Sequence, residues 1–338
     1  MKLKFLELTS ADRGEYFTQA AQNRGVSPVI MEKDFWVSWM LAVLFQSRYA
    51  AHLVFKGGTS LSKVFGVIDR FSEDIDLGLC PSFLGLPDAD TVPPTSRNRA
   101  NVWMERAEAV CSEVVEQQVL PELHLAVSEA MGEERPWFEF VNDTTTESPV
   151  VLFNYPTTQP PGLSYLKRTV RLEFGSLTDQ RPVGTHPILP WMADEVSDSF
   201  DDWHCDVVAL ELERTFWEKV TILHSEYHRP AEKPTPDRIS RHYADTAALA
   251  GHPQGMAAAR QGEVRDRVVE WKRLFFGSAW ARYDLARPGS LKLLPNPTRR
   301  RALEVDYVKM RDMYLSTPLS FTRVMDALAG LEEVVNAE

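Results

Sequence analysis

Residues 55–79 read FKGGTSLSKVFGVIDRFSEDIDLGL, and the fold depends on how this stretch divides. Leu53-Val54-Phe55 is a short apolar run stopped by Gly57-Gly58, the pattern of a buried strand entering a tight turn. Beyond the glycines, Leu61, Val64, Phe65 and Ile68 fall at i, i+3, i+4 and i+7, which predicts a helix over 60–68. Ile75, Leu77 and Leu79 then alternate with Asp74, Asp76 and Gly78, the period of a strand. The order is strand, glycine turn, helix, strand, and the second strand carries an Asp-x-Asp pair.

Two carboxylates at i and i+2 on a strand share one face and can share a cation. Mg²⁺ takes oxygen ligands and keeps positions open for substrate phosphates, so Asp74 and Asp76 are candidate metal ligands. The plain alternative is an edge strand with one solvated face. Lys56-Gly57-Gly58-Thr59-Ser60 leads into a helix, where bare glycine backbone and unsatisfied N–H groups suit an anion. The plain alternative there is a capped tight turn. The segment lacks the Gly-Lys-Ser/Thr ending of a Walker loop and contains no G-x-G-x-x-G.

Outward from this stretch, Ser10 reads as the N-cap of a first helix that stops near Gly25. Ser27-Pro28 opens a second helix, VIMEKDFWVSWMLAVLF, apolar enough to be buried on more than one face. Asp34, inside it, reads as one half of a structural ion pair. A Pro-, Ser- and Asp-rich loop is expected over 80–97, then a long helical region to Met131, bent or broken at Pro121. WFEFV (137–141), VVLFNY (150–155) and TVRLEF (169–174) read as strands. After Asp206-Val207-Val208 the character turns helical, with LELERTFWEKVTILHSEY first and further helices around 238–250, 261–276 and 299–335. The expected class is α+β: a mixed sheet with flanking helices over residues 1–210, then an all-helical part over 211–338.

The chain has 338 residues, 44% hydrophobic and 25% charged, as in soluble globular proteins. No apolar run reaches the roughly 18 residues of a membrane span, and the N-terminus turns polar too early for a signal peptide. Cys80, Cys111 and Cys205 are scattered and odd in number, which points to reduced thiols and a cytoplasmic protein. No H-E-x-x-H or Cys/His spacing supports zinc. The net charge of −11 is uneven: Glu213–Arg311 holds 19 Lys and Arg against 12 Asp and Glu. That segment could meet phosphates, or could be an ordinary solvated helical surface.

Four blocks carry a family resemblance: EKDFWVSWML, FKGGTSLSKVFGVIDRFSEDIDL, ERTFWEKVTILH and SRHYADTAAL. The Gly-Gly-Thr-Ser turn followed by Asp-x-Asp resembles the DNA polymerase beta-like nucleotidyltransferase superfamily. All four blocks together resemble its AbiEii/AbiGii toxin branch, which includes the MenT toxins. The resemblance spans roughly residues 30–250; residues 251–338 carry no matched motif.

It implies a polymerase beta-like core and Mg²⁺-dependent (or Mn²⁺-dependent) transfer of a nucleoside monophosphate from an NTP to a hydroxyl, with release of pyrophosphate. Asp74 and Asp76 would hold metal. Glu173, in TVRLEF, would be the third carboxylate the superfamily asks for, as metal ligand or proton acceptor; read from the strand alone it could equally be a solvent-facing partner of Arg171. Gly57, Gly58, Thr59, Ser60, Lys63 and Lys219 would cradle phosphates, and Arg70 and Ser72 would orient the aspartates. Asp245 would be functional, Lys219 and Asp245 reaching the cleft from the helical part. Without the resemblance, Lys219 could snorkel to solvent and Asp245 could pair with Arg241 at i−4. The family further implies a toxin of a toxin–antitoxin or abortive-infection system. It would act on tRNA 3′ ends and be matched by an antitoxin that often bears a winged-helix domain. Other readings are transfer to a protein or small molecule, or a non-catalytic nucleotide-binding module.

Overall fold

The computed structural model describes residues 3–87, 94, 96–142, 148–160, 167–177, 179–196 and 200–337. Part of the loop expected over 80–97, residues 88–93 and 95, therefore lies outside the described residues. The class is the α+β one expected from the sequence. The strands are β1 (Leu53–Lys56), β2 (Asp74–Leu79), β3 (Phe138–Asn142), β4 (Pro149–Phe153), β5 (Val170–Gly175), β6 (Val183–Pro187) and β7 (Asp206–Leu210). They form one mixed sheet in the order β3-β4-β5-β2-β1-β7-β6. The helices are α1 (Lys4–Glu7), α2 (Ser10–Arg24), α3 (Pro28–Phe45), α4 (Gly57–Lys63), α5 (Arg97–Val114), α6 (Leu120–Met131), α7 (Leu212–Tyr227), α8 (Ser240–Ala250), α9 (Pro253–Ala258), α10 (Gly262–Phe275), α11 (Arg300–Lys309) and α12 (Phe321–Asn336).

The chain forms two compact units. A sheet unit takes Met1–Val64, Phe71–Pro93 and Val102–Ala209; a helical unit takes Phe65–Arg70, Pro94–Asn101 and Leu210–Glu338. Two short segments of the N-terminal sequence thus belong to the helical unit, where a cut at 210/211 leaves it a single continuous stretch.

In the sheet unit, α3 is buried along its whole body, from Val29 to Leu44, which accounts for its lack of a polar face. Its Phe35, Trp36 and Trp39 meet Phe5, Phe17, Phe153, Tyr155 and Phe200 in mostly edge-to-face or tilted ring contacts. The same core takes one face of the sheet through Phe55, Ile75, Leu77, Leu172 and Phe174.

Several local expectations shift. The helix expected from Ser10 is α2, preceded by the short α1; Thr9 caps it, its hydroxyl accepting from the Asp12 N–H at 3.1 Å, so Ser10 is its first residue. α4 begins at Gly57 and ends at Lys63, shorter than the 60–68 periodicity predicts. Gly66 turns the chain at φ +61°, and 65–70 joins the helical unit, where Ile68 is buried. The apolar spacing that mimics one helix is shared between two packing environments. At Pro121 the long helix is interrupted by a π turn over Val115–Val119, because proline supplies no N–H to the preceding turn. Helix over 299–335 is broken into α11 and α12 around Pro318, with Ser320 capping α12. β6 escapes a hydrophobic-pattern reading because VGTHP is an exposed end strand with no apolar alternation.

Candidate active site

β2 pairs antiparallel with β1 and parallel with β5, and the register decides the site. Asp76 lies opposite Lys56 on one side and Glu173 on the other; Asp74 lies opposite Arg171. Residues paired in register share a face, as do residues two apart on a strand. Asp74, Asp76 and Glu173 are therefore on the same half-buried face of the sheet. The opposite face, Ile75 and Leu77 with Leu172 and Phe174, is fully buried. A strand between apolar layers would read as a continuous hydrophobic run; here the alternating carboxylates mark the face that is left uncovered by the core.

Gly57, next to the Lys56 that pairs with Asp76, is tied to that aspartate by space. Its φ is +82°, and a Cβ built there would stand 2.0 Å from Asp76 Oδ2. Only glycine leaves that carboxylate its position. Thr59 fastens α4 to the strand: its hydroxyl meets Ser72 Oγ at 2.9 Å and donates to the Asp74 carbonyl. Ser60 is buried and donates to the Gly57 carbonyl at 2.9 Å. Both hydroxyls are thus engaged in holding the turn, and what the turn offers an anion is backbone.

Glu173 accepts from Arg171 at 3.2 Å, so the strand pair read from the sequence and the place beside Asp76 coexist. Lys63 lies elsewhere than a phosphate-facing reading requires. Its ammonium is buried against Asp34, approaches the Leu189 carbonyl at 3.3 Å and lies over the Trp191 ring. The ion pair expected of Asp34 is present, with Lys63 as its partner. Burial lowers the Lys63 ammonium, against the pull of Asp34.

In the helical unit, Lys219 and Asp245 meet at 2.7 Å, and Arg70 grips Asp245 with two bonds of 2.8 Å. Lys219 is 6% exposed and Asp245 1%, so neither the snorkelling lysine nor the Arg241 partner describes what is seen. Burial alone would raise the Asp245 carboxyl, but Arg70 and Lys219 hold it well below the usual carboxylate range. His242, whose Nδ1 is 3.4 Å from the Lys219 ammonium, is held well below its ordinary value by burial and then by Lys219 and Arg241. Arg70 thus braces Asp245, a partnership between residues 175 positions apart that carries no local signal.

The basic segment is also sorted by the structure. Arg299 is buried, reaching Thr235 Oγ1 at 2.9 Å and the carbonyls of Pro230 and Lys233 at 2.5 and 2.7 Å, whereas Arg300, Arg301 and Arg273 are exposed. Among the described residues, no three His, Cys, Asp or Glu side chains converge as a metal-binding group, and no helix is long and apolar enough to cross a membrane.

A sheet face with three carboxylates beside a glycine turn is the arrangement that the family resemblance implies. The model of the nucleotidyl transferase AbiEii toxin family, type IV toxin–antitoxin systems, matches residues 39–330, and the chain belongs to that family. It is accordingly a nucleotidyltransferase of the toxin class, which implies an NTP substrate and a cognate antitoxin. No curated protein matches the sequence. Among solved structures it is similar to MenT4, a nucleotidyltransferase toxin from Mycobacterium tuberculosis H37Rv, at 15% identity and a TM-score of 0.35, covering 90% of this chain and 99% of that one.

Proposed function

We propose that the protein transfers a nucleoside monophosphate from an NTP to the 3′-terminal hydroxyl of a tRNA, using the carboxylate face of β2 and β5 as its metal site. The observation that supports this most directly is the register of Asp76 against Glu173, with Asp74 on the same face and Gly57 closing over Asp76. The reaction joins the acceptor oxygen to the α-phosphorus and breaks its bond to the bridging oxygen, so that pyrophosphate leaves with its electron pair.

A divalent cation fits the donor set. Mg²⁺ asks a protein for one or two carboxylates and takes its remaining oxygens from phosphates and water. Asp74 and Asp76 supply hard oxygens on one strand face, and the bare backbone at Gly57 leaves the Asp76 carboxylate its room. When bound, Mg²⁺ or Mn²⁺ offsets phosphate charge and activates the acceptor hydroxyl. Glu173, in register beside Asp76 but not converging with the two aspartates, takes the other role open to it in this reading, accepting the proton of the acceptor hydroxyl. Thr59 and Ser72 hold the turn against the strand, so that Gly57 and Gly58 present backbone N–H groups to the phosphates without reorganising. Lys219 and Asp245 stand in the later family blocks, and within the helical unit Asp245 holds the Lys219 ammonium at 2.7 Å.

An RNA acceptor is supported by the basic run from Glu213 to Arg311 and by the exposed Arg273, Arg300 and Arg301, with Phe276 exposed next to α10. The test is incubation of the purified protein with each α-³²P-labelled NTP and total bacterial RNA. Label in a tRNA-sized band, lost on mild 3′ exonuclease trimming, is the expected result. Label in protein or in a small molecule, with none in RNA, overturns the acceptor.

A further inference from the structure

Glu32, Lys33 and Asp34 are consecutive on α3, a helix buried on all sides, and are 0%, 1% and 0% exposed. Successive helical residues point about 100° apart, so three neighbouring charges address three different parts of the fold. Glu32 accepts from the N–H of Thr158 at 2.5 Å and from its hydroxyl at 2.7 Å. The Lys33 ammonium is paired with Glu73 and donates to the Lys167 carbonyl at 2.7 Å. Asp34 is paired with Lys63 and accepts from the Trp191 N–H at 2.7 Å.

A buried charge is costly unless it is paired and hydrogen-bonded, and apolar residues of similar volume often serve stability as well or better. Three in a row on the most deeply buried helix ask for a reason other than stability. Two of the partners supply it. Lys63 is the last residue of α4, the helix that begins at Gly57. Glu73 immediately precedes Asp74, the first residue of β2. Adjacent residues of one rigid helix therefore hold the far end of the glycine-turn helix and the near end of the carboxylate strand. Thr59 ties the same two elements together between those points. Asp34 and Lys33 set the spacing between the turn and the carboxylates from behind, without facing the reaction.

We propose that Lys33 and Asp34 are positioning residues for the transferase site, Lys33 through Glu73 for the carboxylates of β2 and Asp34 through Lys63 for the turn at Gly57-Gly58. The inference rests on the reading of Asp74 and Asp76 as the reacting site's carboxylates. It predicts different defects from two variants of the full-length protein. Asp34→Asn leaves Lys63 in place but loosens α4; amide hydrogen exchange rises in 57–63, and KM for the NTP rises roughly tenfold or more, the scale of a small misplacement of a binding group. The double variant Lys33→Met/Glu73→Met removes both charges of that pair together, so neither is left facing the other's vacancy. Exchange rises in 73–79, and the Mg²⁺ concentration for half-maximal transfer rises by a similar factor, with KM for the NTP at saturating Mg²⁺ little changed.

Partial unfolding lowers the active fraction but moves neither concentration. Folded variants with the wild-type KM, wild-type half-maximal Mg²⁺ concentration and unaltered exchange in both segments overturn the inference. Should either variant fail to fold, Asp34→Glu and Lys33→Arg keep the charge while displacing it, and the same two constants are read from them. Asp76→Ala is the accompanying control. If it transfers normally, the site reading falls; if it is inactive while the positioning variants keep wild-type constants, only the positioning inference falls.

Discussion

Asp76 and Asp245 both stand in sequence blocks shared with a nucleotidyltransferase family, and their surroundings are opposite. Asp245 is enclosed in the helical unit between the guanidinium of Arg70 and the ammonium of Lys219, two cations to one carboxylate. Asp76 is half-buried on an uncovered sheet face in the company of Asp74 and Glu173. The first arrangement is already neutralised with excess positive charge, and its side chains are fixed. The second gathers three carboxylates on one half-buried face, with Arg171 paired to Glu173 and Lys56 opposite Asp76 in register. Burial plus complete pairing is the character of a brace; half-burial beside like charges is the character expected of the proposed ligand site.

The largest expected effect that can break this contrast is on transfer. Asp76→Ala in a folded protein is expected to lower α-³²P NTP labelling by at least the order of 10²–10³-fold that loss of one preorganised electrostatic group costs. Labelling at the wild-type level would remove Asp76 from the chemistry. Next comes stability in the helical unit. Asp245→Asn leaves Arg70 and Lys219 buried without their counter-charge, and denaturant unfolding should show a loss of about 3–5 kcal/mol. A loss near zero would mean that the trio is not the closed brace described.

The same carboxylate sets a pH dependence. Its folded value is depressed, so its stabilisation is fully present above the unfolded value of about 3.9 and is lost as pH falls below that towards the folded value. Asp245→Asn should therefore flatten the acid limb of the stability profile and leave its shape from pH 5 to 8 unaltered.

A smaller effect separates two glycines of similar backbone. Gly25→Ala meets nothing within 4 Å and should cost about 1 kcal/mol for its positive φ, with transfer kept. Gly57→Ala carries the same backbone cost and also drives a methyl into Asp76, so transfer should fall well beyond what the melting temperature predicts. Equal transfer by the two variants would separate Gly57 from the site. The smallest effect tests the basic segment. Arg301→Ala, at an exposed position, should change stability by no more than about 0.5 kcal/mol while weakening RNA labelling at raised salt. Arg299→Ala should destabilise first, since its guanidinium holds three groups of the 230–235 segment.

Much of the candidate site's geometry was legible because its signals are local. Asp74 and Asp76 announce a shared face by their spacing, Gly57-Gly58 a special backbone, and TVRLEF a strand with one carboxylate. The α+β class followed from period-2 runs giving way to period-3.6 runs after residue 210. Where periodicity misled, at 60–68, apolar positions were divided between two packing surfaces, a division that spacing cannot encode. β6 went unread because an exposed end strand needs no apolar pattern.

The sequence by itself determined which chemistry is possible: hard carboxylate oxygens at strand spacing, a glycine turn, basic residues on apolar helices and a family. Tertiary structure alone decided who partners whom. Glu173 stands beside Asp76 because β5 runs parallel to β2 in one register, and a slip of one residue would have turned it into the core. Lys63 faces Asp34 and Arg70 faces Asp245 across 29 and 175 positions of chain. Charge pairing acts over a few ångströms in space, and no spacing along the sequence reports that distance.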